Sequence, residues 1–348
     1  MGRKLRNIKN RARRRRKERC INLYLRVRSN RNKKRRKKFH HYSNSLHPNI
    51  YSQTENIAPS DFRLLKNTKK CCDFFHRVRK RAQKNQAVGI NQIIIDFSHT
   101  SQIDFASIQV LNAIGEELMA GTPSCIMRGF LPQDKKFKQY LIDSGFLEGK
   151  VNEYGIQFQP SRSTSKMKIT VGQSLWTDAD GRNAVQIAEK TQRHLHGTKS
   201  PTFITITIKE ICGNSVEWGN SKHKQWVLAA KFEKDCVEYI ALDLGEGILK
   251  TIHRDFWQKI GELGFTNDSE ILWNAFDKKY FSHSKDPNRH KGLPQIKWEY
   301  KQGHFKELYV LTNGVLLNFS DESKKLNMGK VGFQGTLYRW LITPDCMN

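Results

Sequence analysis

Four stretches in the second half of the chain carry the side chains best suited to chemistry. In Ile208-Lys-Glu210-Ile-Cys-Gly-Asn214-Ser-Val-Glu-Trp218-Gly219, Glu210 and Asn214 stand four apart, which on a helix puts both on one face. A carboxylate beside an amide oxygen can hold Mg²⁺ and orient a water, because Mg²⁺ takes hard oxygen ligands and keeps several waters. With no ligand near, the same pair is simply a solvated surface pair. The apolar run Val237 to Asp243 leads into Leu244-Gly245-Glu246-Gly247-Ile248, a D-x-G-x-G pattern at a strand end. Its glycines let backbone approach a ligand closely, and Asp243 can accept a hydrogen bond from an exocyclic amine; the alternative is a tight turn. Asn288-Arg289-His290-Lys291-Gly292-Leu293-Pro294 sets basic and glycine residues just ahead of a helix. Free N–H groups and the helix dipole attract anions there. Gly335-Thr336 then precedes an apolar strand, Leu337 to Ile342.

The elements that must position these groups follow from periodicity. Ile93 to Phe97 predicts a buried strand, and Asp104 to Ala120 an amphipathic helix with Ile108, Leu111, Ala113, Ile114 and Leu118 on its apolar face. Ser124 to Gly129 predicts a second strand and Lys135 to Ser144 a second helix, with Gly145 at its end. Strand, helix, strand, helix implies an α/β unit with neighbouring strands parallel. Residues 151–174 are polar and read as a connection, and Asp178 to His196 as the helix opening the next domain.

Charge divides the chain differently. Its 348 residues hold 61 Lys plus Arg against 33 Asp plus Glu, a formal net charge of +28. Residues 1–86 hold 29 basic and 4 acidic residues, so the remainder is near neutral. Two clusters dominate: Arg13, Arg14, Arg15, Arg16 and Lys17, then Lys33, Lys34, Arg35, Arg36, Lys37 and Lys38. The apolar stretch between them is too small for a core, so the arm is expected to be disordered or helical. Such density suits phosphate-backbone binding to RNA or DNA with steep salt dependence; a solvated, solubilising tail is the alternative. Ser43 to Ser60 reads as a linker and Asp61 to Gln86 as a helix that extends the basic surface or docks the arm. No run of about 18 apolar residues is present, so no membrane partner is expected. Seven scattered cysteines argue against a disulfide framework and for a reducing, cytoplasmic setting. Adjacent Cys71 and Cys72 lack CxxC spacing, leaving a zinc site with His76 a remote option.

Residues 93–118 (IIIDFSHTSQIDFASIQVLNAIGEEL), with Pro132 and the ending LIDSGF, resemble a STAS domain, the family of anti-sigma-factor antagonists and sulfate-transporter cytoplasmic domains. Where phosphorylated antagonists carry serine after the aspartate, Asp104 is followed here by Phe105, and Ser107 lies two positions further. The resemblance therefore implies docking to a protein partner or self-association rather than a phospho-switch.

The four chemistry-bearing stretches, in their order, resemble the GHKL ATPase superfamily of gyrase, Hsp90, histidine kinases, MutL and the anti-sigma serine kinases. The resemblance implies that Glu210 is a general base and that Asn214 holds the Mg²⁺ on the phosphates. It implies further that Asp243 reads the adenine amine, with Gly245 and Gly247 shaping the purine pocket. Lys291, Gly292 and Leu293 would lie beside the phosphates, and Thr336 would close the adenine side. The implied ligands are ATP and Mg²⁺. Trp218 stands where many histidine kinases carry histidine. About 40 residues, with Trp257, Phe265, Trp273, Phe276 and Tyr280, occupy the place of the family's ATP lid; helical core is the other reading of those aromatics. His194 and His196 lack the acidic neighbour of a phospho-accepting histidine.

The expected fold class is α/β: a small STAS-like α/β layer followed by a GHKL two-layer sandwich with a mixed sheet, behind the basic arm. The divisions are 1–86 for arm and linker, 87–150 for the STAS-like domain, 151–174 for the connection and 175–348 for the ATP-binding domain. The function expected is a nucleotide-gated switch that binds ATP and Mg²⁺, with or without slow hydrolysis by Glu210, in a bacterial regulatory or phage-defence setting. The alternatives are an anti-sigma-type serine/threonine kinase and a nucleic-acid-binding scaffold with a degenerate ATPase fold.

Overall fold

Near-continuous apolar runs along the strands of the C-terminal half, such as Tyr239 to Leu242, demand cover on both faces of a sheet, and the fold supplies it. The structure is a computed structural model. It describes residues 56–348 apart from 88–91, 122–125, 148–149, 151–155, 159–166, 174–175, 219–224, 255–266, 278–291, 322–324 and 330. Both arginine-lysine clusters of the arm, and Lys291, lie outside the described residues.

The protein is mixed α/β. Its elements in chain order are β1 (Asp61–Phe62), α1 (Thr68–Ala87), β2 (Gln92–Asp96), β3 (Gln102–Ile103), α2 (Phe105–Gly121), β4 (Ile126–Phe130) and α3 (Lys135–Asp143). There follow β5 (Met167–Gln173), α4 (Asp178–His194), α5 (Thr202–Trp218), β6 (Gln225–Phe232), β7 (Val237–Asp243), α6 (Asp268–Ala275) and α7 (Gly292–Lys301). β8 (Lys306–Asn313), β9 (Val315–Asn318), β10 (Lys325–Asn327) and β11 (Phe333–Ile342) complete the chain. Seven strands form one sheet in the order β10-β9-β8-β11-β7-β6-β5.

Along β7 the pleat sends Tyr239 and Ala241 to one apolar cluster and Ile240 and Leu242 to the other. The first cluster packs the sheet against α4 to α7: Ile187, Ile208, Ile211, Leu272 and Ile296 are all buried there. Tyr239 stacks on Trp340 at 5.0 Å and its hydroxyl meets Thr191 Oγ1 at 2.6 Å. The α4 helix starts in a capping box, Thr177 and Asp180 each bonding the other's backbone N–H. On the opposite face lies α2, whose Phe105, Ile108, Val110, Leu111 and Ile114 share one cluster with Val227, Ile240, Leu242, Leu311 and Leu337 of the sheet. Segments 87–150 and 175–348 thus share a continuous apolar core.

Several expectations meet a different structure. The α2 helix, read as amphipathic, is buried almost all round, with Ser107, Gln109 and Val110 as inaccessible as Ile108, because the sheet covers one side and α1 and β2 the other. Every strand pair of the seven-stranded sheet is antiparallel, so it is not the mixed sheet expected. The parallel pairings are β2 with β4, as the strand–helix–strand order requires, and β1 with β3. Met167–Gln173, placed in the 151–174 connection, is instead the strand that pairs with β6. The basic helix begins at Thr68, because Asp61–Phe62 pairs with Gln102–Ile103. Cys71 and Cys72 pack into the core, where burial pushes both thiols up. No described helix is long and apolar enough to cross a membrane.

Candidate functional site

The separated stretches meet through a chain of direct contacts. Asp243, the last residue of β7, stands opposite Thr336 of β11 and opposite Trp226 of β6. Its carboxylate accepts the Gly245 N–H at 2.8 Å; the Ser215 side chain and the Thr336 backbone N–H lie close enough to favour its charged form, while the Ser215 hydroxyl itself donates to the Ile211 carbonyl at 3.2 Å. Asp243 is only 4% exposed. Burial pushes it up to about 6, against the pull of those donors. A carboxylate offers about four acceptor positions, so Asp243 can accept further donors beside the Gly245 N–H.

Gly335 lies in an irregularity of β11 where the register shifts between Phe333 and Thr336. Its φ is +100° and a Cβ there would stand 2.0 Å from the Asp243 carbonyl oxygen. Only a glycine permits that approach.

Helix α5 brings the first stretch to this point. Ser215 comes near Asp243 while its hydroxyl bonds the Ile211 carbonyl, and Asn214 beside it packs on Gly292, the first residue of α7, where an added Cβ would meet the Asn214 amide at 2.6 to 2.8 Å. Asn214 Nδ2 is buried without a hydrogen-bond partner, a costly state for a polar atom. Glu210 is half-buried one turn earlier on the same helix. Gly292 is buried and Leu293 packs partly buried on the main core, with Pro294 in the first turn of α7, where its missing N–H costs nothing.

The glycine loop after Asp243 is held from the β8–β9 hairpin. Asn313 Nδ2 donates to the Glu246 carbonyl at 2.7 Å, and its Oδ1 accepts the Leu249 N–H at 3.1 Å. Thr312 Oγ1 accepts the Ile248 N–H at 2.9 Å and donates to the Gly335 carbonyl at 3.0 Å. Gly247 has φ +85° and lies so close to Asn313 that a Cβ would stand 2.4 Å from its Oδ1. Glu246 pairs with Arg254 at 2.7 Å.

Of the site residues read from sequence, Asn214, Asp243, Gly245, Gly247, Gly292 and Thr336 are linked by these contacts. Glu210 and Leu293 lie on the elements that carry them. Ser215, Thr312, Asn313 and Gly335 join the set as supports. The dipeptide Asn313-Gly314, a strong hairpin signal, could have found two of them. Trp273 and Phe276 pack on Phe319 at 4.9 and 5.0 Å, so for them the core reading holds.

The site thus holds a buried carboxylate with acceptor capacity to spare, glycines in the loop after it, and a helix N-terminus adjoining an asparagine with an unsatisfied amide. A scan of the sequence against protein-family models gives no match, and a search of curated proteins finds nothing similar. What the chain does is therefore read from its own geometry.

Proposed function

We propose that the C-terminal part of the chain is a GHKL-type ATP- and Mg²⁺-binding switch. It is coupled to the STAS-like layer on the back of its sheet and tethered to nucleic acid by the basic arm. One observation carries this reading: four stretches spread over roughly 130 residues come together, with Gly292 packed on Asn214, the next residue Ser215 near Asp243, and Asp243 paired with Thr336 across the sheet.

In this reading Asp243 accepts the adenine amine, Thr336 closes that side, and Gly245 and Gly247 admit the ring. Asn214 and the α7 N-terminus, with Lys291, Gly292 and Leu293, take the phosphates. Bound Mg²⁺ would offset phosphate charge, with the Asn214 side-chain oxygen as its protein ligand. Glu210, one turn from Asn214, orients a water for slow hydrolysis. The α2 helix shares a core with the strands β7, β8 and β11, so a change at Asp243 or Gly335 reaches the STAS-like layer through those strands. That layer then docks a protein partner or a second copy.

Incubation with γ-labelled ATP separates the alternatives. Free labelled phosphate supports the switch, and label on protein supports a serine/threonine kinase. Ser107 is a poor acceptor within the chain, being fully buried with its hydroxyl on the Asp104 carbonyl at 3.0 Å. Failure to bind fluorescent ATP analogues with or without Mg²⁺ leaves a nucleic-acid-binding scaffold with a degenerate ATPase fold.

A further inference from the structure

The exposed face of α1 carries a dense row of basic side chains. Cys71, Cys72, Phe74, Phe75, Val78 and Ala82 bury one side of this helix. On the other side, Lys69, Lys70, His76, Arg77, Lys80 and Lys84 are exposed and fall within an arc of about 120° at 100° per residue. Asp73, half-buried, is the one acid within that arc. Lys69, Lys80 and Lys84 make no ion pair with any described residue. From Lys69 to Lys84 the row runs about 22 Å.

The chain enters the described fold beside this row. Ile57 pairs with Asp96, and its carbonyl lies 3.5 Å from an Arg77 guanidinium nitrogen. The first described residues thus lie against the middle of the row. We infer that the exposed face of α1 is a second, structured nucleic-acid contact, which seats the sugar–phosphate backbone of a duplex without reading its sequence. This deepens the nucleic-acid part of the proposed function and rests on it. Charge complementarity names the partner class. Single strands are held by bases stacking on exposed aromatics, and the aromatics of α1, Phe74 and Phe75, are buried. A membrane-surface helix needs a free apolar face, and here that face is used by the core.

The test is fluorescence anisotropy of the full chain on a labelled 25-base-pair duplex across a salt series. It compares wild type with Lys69→Gln/Lys80→Gln/Lys84→Gln and with a control triple, Lys135→Gln/Lys136→Gln/Lys138→Gln, on exposed positions of α3. Each phosphate contact contributes about 0.9 to the slope of log K against log salt. The α1 triple is therefore expected to lower the slope by about 2 to 3 and weaken binding at least about tenfold near 100 mM salt, with the control unchanged. Wild-type binding with an unaltered slope in the α1 triple overturns the inference and leaves the arm reading intact. Equal losses in both triples, or preference for single strands, also overturn it. Absence of any wild-type binding removes the arm reading as well.

Discussion

Asp243→Asn isolates the electrostatic cost built into the candidate site. Burial raises this carboxyl from the ordinary 3.8 to about 6 in the folded protein. The folded state therefore binds a proton between these values that the unfolded chain releases. Stability from this group is gained as pH falls through 6 and is lost as pH rises through it. The full difference is about 3 kcal/mol, and between pH 7 and pH 4.5 it amounts to about 2 kcal/mol. Asparagine does not titrate, so the gap between wild type and variant should change by about 2 kcal/mol over that interval, with wild type relatively weaker at pH 7. The amide keeps an acceptor for the Gly245 N–H but brings a buried donor of its own that needs a partner, an offset of about 1–3 kcal/mol. That offset is independent of pH and cancels in the slope. Urea unfolding of both proteins at pH 4.5, 5.5, 6.5 and 7 reads the gap directly. A constant gap, or one that moves the other way, would refute the claim that a desolvated carboxylate is held here.

Asn214→Ala removes a buried amide nitrogen that has no partner; the nucleotide-free protein should unfold within about 1 kcal/mol of wild type while losing the Mg²⁺-dependent part of fluorescent-ATP affinity. Asn313→Gly keeps the left-handed backbone, φ 50° at Asn313, but cuts the bonds to Glu246 and Leu249, so ATP affinity should fall at least about tenfold, one tenfold being about 1.4 kcal/mol, with the far-ultraviolet circular dichroism unchanged. Gly335→Ala drives a methyl onto the Asp243 carbonyl and should destabilise by at least about 3 kcal/mol in urea unfolding. Deleting residues 1–41 should abolish most retention on heparin and RNA at moderate salt, and unchanged retention would count against the arm.

Local order was legible where one pattern decides the outcome. The β2–α2–β4–α3 series and helix α4 follow from apolar spacing, and the D-x-G-x-G turn follows from its glycines. Packing around α2 was not legible, because the spacing of Ile108, Leu111 and Ile114 reports one covered face and cannot report that Ser107 and Gln109 are covered by a second layer. Strand β5 was masked by its polar neighbours on both sides, although Ile169 and Val171 alternate as a strand requires. At the site, the acidic and glycine positions were readable from their types. The supports Ser215, Thr312 and Asn313 act only through contacts between residues as far as 67 positions apart, and such contacts leave no local signature. The antiparallel sheet likewise depends on which strands pair, which apolar patterning alone does not specify.

The measurement that bears most directly on the central claim is thermal unfolding of the full chain with ATP and Mg²⁺, with ATP and EDTA, and with GTP and Mg²⁺. At a hundred times the dissociation constant, ligand binding adds about 2.7 kcal/mol, which for a body of this size is a rise of several degrees in Tm. The account predicts that rise with ATP and Mg²⁺, a smaller one with EDTA, and loss of both in Asp243→Ala. Equal melting temperatures under all conditions would contradict it.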